Sequence, residues 1–251
     1  MLAHSEFGAP DAPPVLIVHG LYGSGRNWGV IAKRLSDRFR AITVDLRNHG
    51  LSDWQDTHSY HDLAGDLAEV IEAIGAPAHV VGHSMGGKAA MVLAATRPAL
   101  IDRLLVADIA PVTYSHSQME FITAMRAVDL TRVTRRADAD ALLAEQGVEA
   151  ALRSFFTQSL DVAKQRWRLN LDVLAAEMDK ILGFPDIDGT FDGPTLFLSG
   201  GASDYVSGDH RPAIKALFPN ARFAKLPGAG HWLHAEKPRD FEATVRSFLT
   251  A

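Results

Sequence analysis

Short apolar runs separated by turn residues recur along the chain and predict the strands of a parallel sheet. They lie at residues 15–18, 41–44, 79–81, 104–107, 195–198 and 222–226. Between them, apolar residues repeat at helical spacing over residues 28–35, 63–74, 87–95 and 238–249. This alternation of strands and helices predicts an α/β fold with a mostly parallel central sheet flanked by helices.

The alternation stops between residues 111 and 192, where the composition turns helical and no strand-like run appears. A connection of that length is uncommon in a compact domain. Apolar residues such as Phe155 and Trp167 are scattered among arginines there, as in helices that pack on one side and face water on the other. We therefore predict an α/β core of residues 1–111 and 193–251, with a helical cap inserted at 112–192, in one structural unit.

Charge and composition narrow the possible partners and the compartment. The 25 basic and 30 acidic side chains give a net charge of −5, which offers no basic surface for nucleic acid. The absence of cysteine excludes disulfides and a thiol nucleophile, and it favours the cytoplasm. The first residues lack the pattern of a signal peptide, and no run approaches the roughly 20 apolar residues of a membrane span. We expect a small-molecule substrate and a monomer or homodimer.

A glycine-flanked serine follows one predicted strand and precedes a predicted helix. The segment G-H-S-M-G-G at residues 82–87 contains the pattern G-x-S-x-G between the strand at 79–81 and the helix at 87–95. A serine on such a sharp turn needs a strained backbone, and Gly82 and Gly86 approach so closely that only small side chains fit. Ser84 is therefore the predicted nucleophile. We interpret the adjacent His83 as a packing residue.

Two backbone amides near this serine are predicted to form an oxyanion hole. The N–H of Met85 begins the helix, where unpaired amides and the helix dipole favour an anion. The second donor is the N–H of Leu21, in the loop H-G-L-Y-G after the strand at 15–18. In that loop we interpret His19 as structural.

The polar turn at residues 45–52 offers another carboxylate, Asp45. This aspartate precedes Ser84, whereas serine hydrolases with this strand-turn-helix motif carry nucleophile, acid and histidine in that order. We therefore expect Asp45 and Arg47 to form a structural network with each other.

His231 lies in a glycine-rich loop between the last predicted strand and the last helix. From there a neutral imidazole can accept the Ser84 proton as general base and return it to a leaving group. Asp108 and Asp204 each follow a predicted strand and lie between the nucleophile and the histidine in the sequence, so either can orient the imidazole. His234 lacks further ligands nearby for a metal, and we predict no metal site.

The assembled motifs resemble those of the YbfF-type esterases of bacteria and their mitochondrial abhydrolase-domain relatives, over nearly the whole chain. The shared segments are V-H-G-L at 18–21, D-L-R-N-H-G-L-S at 45–52, G-H-S-M-G-G at 82–87, D-I-A-P-V at 108–112, R-W-R-L-N-L at 166–171 and G-A-G-H-W at 228–232.

This resemblance implies the α/β-hydrolase fold and hydrolysis of short to medium acyl esters or thioesters without a cofactor. It also implies that Asp108 is the acid and that Ser203 supports it by a hydrogen bond. Asp204, directly after Ser203, is a spare carboxylate that keeps the alternative acid open.

The predicted enzyme is thus a serine esterase that works through a Ser-His-Asp triad and an acyl-enzyme. Other serine-dependent chemistries of the same fold, such as carbon-carbon hydrolases, perhydrolases and lyases, are alternatives, as is a non-enzymatic ligand-binding member. We interpret most of the arginines in the insertion as a solvated helix face, although an anionic head group such as that of coenzyme A would suit them. They are Arg126, Arg132, Arg135, Arg136, Arg153, Arg166 and Arg168.

Overall fold

The structure, a computed structural model, describes residues 1–75 and 77–251. Its strands are β1 His4–Phe7, β2 Pro14–Val18, β3 Arg40–Val44, β4 Ala78–His83, β5 Ile101–Ala107, β6 Leu160–Asp161, β7 Arg166–Trp167, β8 Thr195–Gly200 and β9 Ala221–Leu226. A seven-stranded sheet has the order β1-β3-β2-β4-β5-β8-β9. Only β1 runs antiparallel to its neighbour. The prediction of a mostly parallel sheet is therefore confirmed.

The α-helices connect and flank these strands. They are α1 Gly29–Leu35, α2 Tyr60–Ile74, α3 Met85–Thr96, α4 Met119–Ala127, α5 Arg136–Glu145, α6 Ala150–Phe156, α7 Leu171–Ala176, α8 Met178–Leu182, α9 Arg211–Leu217, α10 Leu233–Glu236 and α11 Pro238–Leu249. None of those in the described ranges combines the length and apolar composition that a membrane-spanning helix needs.

Two apolar cores cover the two faces of the sheet. Successive strand residues point to opposite faces, so Val15 and Ile17 join one core while Leu16 and Val18 join the other. Helices α1 and α11 pack in the first core, and α2, α3 and α9 pack in the second. Strands buried on both faces are the reason why the sheet appears in the sequence as continuous apolar runs.

Helix α2 begins three residues before its predicted start because a capping box extends it. The Ser59 hydroxyl accepts the Asp62 N–H at 3.2 Å, and the Asp62 carboxylate accepts the Ser59 N–H at 3.1 Å. These two bonds satisfy amides that a helix start otherwise leaves unpaired. The apolar pattern alone marks only the buried face, so it cannot locate this first turn.

Two features of the sheet structure are absent from the sequence prediction. Strand β1 is an edge strand with mostly exposed side chains, so it has no apolar run to reveal it. The segment at 112–192, expected to be purely helical, also contains the antiparallel pair β6 and β7, with only two residues in each strand. Strands this short are fixed by their pairing and not by a sequence pattern.

Backbone hydrogen bonds join the segment at 112–192 to the turn after β3. The Gly50 N–H donates to the Arg168 carbonyl at 2.8 Å, and the Asn170 N–H donates to the Asn48 carbonyl at 2.9 Å. At the far end of the insertion, the Tyr60 hydroxyl donates to the Ile181 carbonyl at 2.6 Å. The segment at 112–192 is therefore hydrogen-bonded to the rest of the chain at these two places.

Two glycine-to-alanine substitutions with opposite expected effects on stability test how tightly the turn after β4 is packed. A Cβ at Gly82 would lie 2.6 Å from the Gly86 carbonyl oxygen, so Gly82→Ala is expected to lower the free energy of unfolding by about 1–3 kcal/mol. Gly65, on the exposed face of α2, has no atom within 4 Å of such a Cβ. Gly65→Ala is therefore expected to raise stability by about 0.5–1 kcal/mol. Urea denaturation measures both, and a Gly82→Ala variant as stable as the wild type would contradict this packing.

Candidate active site

Ser84 lies between β4 and α3 in a backbone conformation that few residues adopt. Its φ of 51° and ψ of −122° make it one of the few non-glycine residues with positive φ. Its N–H donates to the Ala107 carbonyl at 3.0 Å, which ties the turn to the neighbouring strand β5. The turn presents the hydroxyl to a cavity beside the sheet.

His231 joins this serine to a buried carboxylate. Its Nε2 lies 3.1 Å from the Ser84 Oγ, and its Nδ1 lies 2.8 Å from the Asp108 Oδ2. The structure thus brings together three predicted residues from distant parts of the chain. Asp108 is completely buried, and the Gly200 N–H donates to its other oxygen at 2.9 Å. These bonds offset the cost of burying a carboxylate.

The two residues at the alternative acid position have different surroundings. The Ser203 hydroxyl donates to the Asp108 Oδ2 at 2.5 Å, as the family resemblance implies. The Asp204 side chain is exposed, whereas the carboxylate hydrogen-bonded to His231 is that of Asp108. Tyr205, which the sequence analysis did not single out, stacks on the imidazole with ring centroids 3.9 Å apart.

The loop that carries His231 is held by side chains on both sides of it. The Glu236 carboxylate accepts the N–H of Gly230 at 2.7 Å and that of Trp232 at 3.2 Å. His83 Nε2 donates to the His231 carbonyl at 2.8 Å. His83 is buried, as predicted for a packing residue. The role of Glu236 could not be predicted, because no local sequence pattern marks it. These contacts fix the imidazole in place.

The two predicted oxyanion donors lie at the same cavity. Leu21 and Met85 both line it, and within residues 1–75 and 77–251 neither backbone N–H donates to another group. The Met85 amide also begins helix α3, where the helix dipole favours negative charge. Two unpaired amides beside a serine hydroxyl are the arrangement that stabilises a tetrahedral oxyanion.

His19 supports the loop that carries Leu21. Its Nε2 accepts the Leu46 N–H at 3.0 Å, so its proton lies on Nδ1, which donates to the Gly20 carbonyl at 2.8 Å. Both ring nitrogens are therefore used by the backbone. The structural interpretation of this histidine fits its contacts.

His49 supports the same loop from the turn after β3. Tyr22 has a positive φ of 62°, and its N–H donates to the His49 Nε2 at 3.3 Å. The other ring nitrogen donates to the Arg47 carbonyl at 3.0 Å. This buried imidazole therefore fixes the residue that follows Leu21.

Five buried histidines surround the site in the neutral form. Burial is the main cause that lowers each pKa below the usual 6.5. The pKa falls to about 4 for His19, about 3 for His49, about 2 for His58 and about 3 for His234, and well below 6.5 for His83.

Asp45 and Arg47 do not bind each other, so the predicted network between them is wrong. Asp45 accepts the backbone N–H of Gly25 at 2.7 Å and that of Leu51 at 2.8 Å. Arg47 instead binds Asp66 through two nitrogens, at 2.6 and 2.8 Å. Residues two apart in a turn point in different directions, whereas α2 presents Asp66 to the guanidinium. Both side chains are structural, as expected, but not through each other.

The cavity beside Ser84 has a volume of about 330 Å³ and lies between the core and the inserted segment. The core supplies His231, Tyr205 and Lys88 among others. The lining from the inserted segment is mainly apolar and includes Phe121, Leu152, Phe155, Phe156, Ile181 and Leu182. Its size and lining suit a small ligand with an apolar portion.

Neither a metal cluster nor the arginines of the insertion form part of this cavity. In the part of the chain that the structure describes, no three histidine, aspartate or glutamate side chains are grouped as metal ligands. His234 instead stacks on Trp28 with centroids 3.9 Å apart. None of the seven arginines lines the cavity, and four of them form ion pairs. The pairs are Arg126 with Asp172, Arg135 with Asp138, Arg153 with Asp140 and Arg168 with Asp161.

Known proteins resemble this chain over most of its length. A family model for the α/β hydrolase fold matches residues 13–238. The mouse sn-1-specific diacylglycerol lipase ABHD11 is 43% identical, over 96% of this chain and 82% of that protein. The Escherichia coli esterase YbfF is 39% identical, over 94% and 92% of the two chains.

A solved structure described as a marine microorganism esterase matches the fold with a TM-score of 0.93 and 36% identity, over 98% of both chains. These findings confirm the predicted resemblance, the predicted fold and the prediction of a carboxylic ester hydrolase. The chain belongs to the α/β-hydrolase family, among its esterases and lipases.

Proposed function

We propose that the chain hydrolyses short to medium acyl esters, and the corresponding thioesters, through an acyl-enzyme on Ser84. The observation that carries this proposal is the hydrogen-bonded series from the Ser84 hydroxyl through His231 to Asp108 at the wall of a largely apolar cavity. The names of the esterase and lipase relatives support the same reaction class.

Acylation begins when the Ser84 Oγ attacks the carbonyl carbon and its proton moves to the His231 Nε2. The carbonyl oxygen becomes an oxyanion, which the N–H groups of Leu21 and Met85 stabilise. Asp108 keeps the imidazole in the tautomer that accepts this proton and stabilises the imidazolium. The intermediate then collapses, the bond to the leaving oxygen or sulfur breaks, and His231 gives its proton to the departing group.

Deacylation repeats these steps with water. A water molecule loses a proton to the His231 Nε2 and attacks the acyl carbon. The oxyanion again lies between the two amides. Collapse breaks the bond to Ser84, whose Oγ recovers the proton, and the carboxylic acid leaves.

We further propose that residues 112–192 act as a cap that shapes the substrate cavity. Their apolar side chains supply much of its lining. A cavity of about 330 Å³ suits an acyl chain of short to medium length. The cytoplasmic location and the monomer or homodimer stay predictions from the sequence.

Removing the proposed nucleophile should abolish turnover without unfolding the protein. Ser84→Ala is expected to lower kcat for p-nitrophenyl butyrate about 10³-fold or more, because no acyl-enzyme forms. Ser247→Ala, on the exposed face of α11, is the matched control and should keep wild-type activity. Release of p-nitrophenol and of free thiol from butyryl-coenzyme A measures ester and thioester hydrolysis. Unchanged turnover in Ser84→Ala, with thermal unfolding like that of the wild type, would refute the proposed nucleophile.

A second pair of variants identifies the acid. Asp108→Asn keeps the size of the side chain, but its amide N–H donates towards the His231 Nδ1 and favours the wrong imidazole tautomer. We expect kcat to fall about 10⁴-fold in this variant, by analogy with serine proteases. Asp204→Asn should stay within about twofold of the wild type, because that side chain is exposed. Steady-state kinetics measures kcat for both variants. A large loss of kcat in Asp204→Asn, with kcat unchanged in Asp108→Asn, would reverse the assignment.

A further inference from the structure

Lys88 is a buried cation at the wall of the substrate cavity. It lies on α3 and is only 2% exposed, yet it lines the cavity. Its Nζ donates to the carbonyl of Leu182 at 2.8 Å and to that of Gly183 at 2.6 Å. The rings of Tyr60 and Tyr114 lie 5.6 and 4.9 Å from the ammonium. These four groups, two carbonyls and two tyrosine rings, are all neutral.

Among the described residues, no carboxylate forms an ion pair with this ammonium. Buried charges are normally paired, because an uncompensated ion loses its hydration without gaining an opposite charge. Burial accordingly lowers the pKa of Lys88 to about 7. An ammonium also has three N–H donors, of which the two carbonyls use two. One N–H donor therefore remains for a ligand, and a negatively charged ligand would also supply the missing counter-charge.

The position of Lys88 relative to Ser84 indicates which part of a substrate it meets. It lies one helical turn beyond the serine, about 6 Å along the axis, and helical side chains lean back towards the N-terminus. The leaving group must lie beside His231, which protonates it. A series of ring contacts connects the imidazole with the ammonium: Tyr205 stacks on His231, Tyr114 lies next to Tyr205, and the ammonium lies over the Tyr114 ring. Because Lys88 contacts Tyr114 and not His231, the direction towards Lys88 suits the acyl arm better than a leaving group that His231 must protonate.

We propose that Lys88 is a specificity-determining residue that binds a carboxylate at the far end of the acyl chain, so that the preferred substrates are half-esters of short dicarboxylic acids. This inference rests on the proposed ester hydrolysis and adds the class of acyl group. The tyrosine rings and the apolar residues around the ammonium exclude water, which strengthens its attraction for an anion.

The two carbonyl bonds also join the core to the end of α8, so a purely structural role for Lys88 needs a matched control. The Tyr60 hydroxyl donates to the Ile181 carbonyl of the same helix end. Tyr60→Phe therefore removes a neighbouring contact to α8 and keeps the cation. Lys88→Met removes the cation and keeps a side chain of similar length.

The substrates for the test are the monomethyl esters of succinic, glutaric and adipic acid. Each is paired with the neutral methyl ester in which an isopropyl group replaces the carboxylate. The quantity to measure is the ratio of kcat/KM for the acidic ester to kcat/KM for its neutral partner, from the release of methanol. For the best chain length, Lys88→Met should lower this ratio about tenfold or more, whereas Tyr60→Phe should leave it within about twofold.

The pH dependence of this ratio in the wild type is a second measurement, which holds even when Lys88→Met does not fold. Lys88 is charged below its pKa of about 7, so the ratio should fall about tenfold or more between pH 6 and 8.5. Any effect of pH on the catalytic residues that the two substrates share acts on both and cancels in the ratio. Burial raises the pKa of Tyr60 and of Tyr114, so neither facing tyrosine titrates in this range.

His116 also lines the cavity and contacts Tyr114. His116→Gln should keep the decline of the ratio with pH, and this variant separates any contribution of His116 from that of Lys88.

The outcomes separate this inference from the proposed function. Hydrolysis of the neutral esters with a ratio that depends neither on pH nor on Lys88 would overturn the inference and leave the esterase intact. An equal loss of the ratio in Lys88→Met and Tyr60→Phe would assign Lys88 to holding α8 and would also overturn it. Failure of every ester, neutral and acidic, would instead contradict the proposed function itself.

Discussion

Backbone packed directly against backbone at the turn after β4 is the constraint on which the site depends. Ser84 takes a positive φ there, and a Cβ at Gly82 would lie within 2.8 Å of the Gly87 Cα. A Cβ at Gly86 would contact the His19 carbonyl and lie 2.7 Å from that of Val18. The serine turn and the loop that carries Leu21 are therefore adjacent without any side chain between them. The spacing of hydroxyl and amides follows from this contact.

The parts of the site that the sequence predicted are those in which the backbone itself limits the choice of residue. The G-x-S-x-G pattern marks Ser84 because the turn tolerates only glycine on either side. The glycine-rich loop marks His231 because a loop that reaches over the sheet needs the backbone freedom that glycine provides. Asp108 and Asp204 both follow a strand, and their spacing in the sequence does not show which of them is the acid. In the structure the imidazole is hydrogen-bonded to Asp108. The Gly200 N–H also binds this carboxylate, because two strands that are distant in sequence are neighbours in the sheet.

Features that depend on tertiary contacts could not be predicted from the sequence. Tyr205 and Glu236 carry no local signature, because their roles come from a stacked ring and from two amides of another segment. Arg47 was paired with a near neighbour in sequence, whereas α2 presents Asp66 to it. Lys88 lies within an apolar helix, and its neighbours in the sequence do not indicate that its ammonium lacks a counter-ion. Strand β1 and the pair β6 and β7 lack the apolar runs by which the other strands were found.

The neutral histidines that surround the site also set a lower limit of pH for the fold. Each has a folded pKa of about 4 or less, whereas the unfolded chain takes up protons below about 6.5. Stability is therefore complete above pH 6.5 and declines as the medium becomes more acidic, by about 2 kcal/mol per histidine at pH 5. Burial lowers the pKa of His83 as well, so all five histidines weaken the fold in the same direction as the pH falls. The same imidazoles that hold the oxyanion loop and the base in place thus make the enzyme unsuited to acidic surroundings.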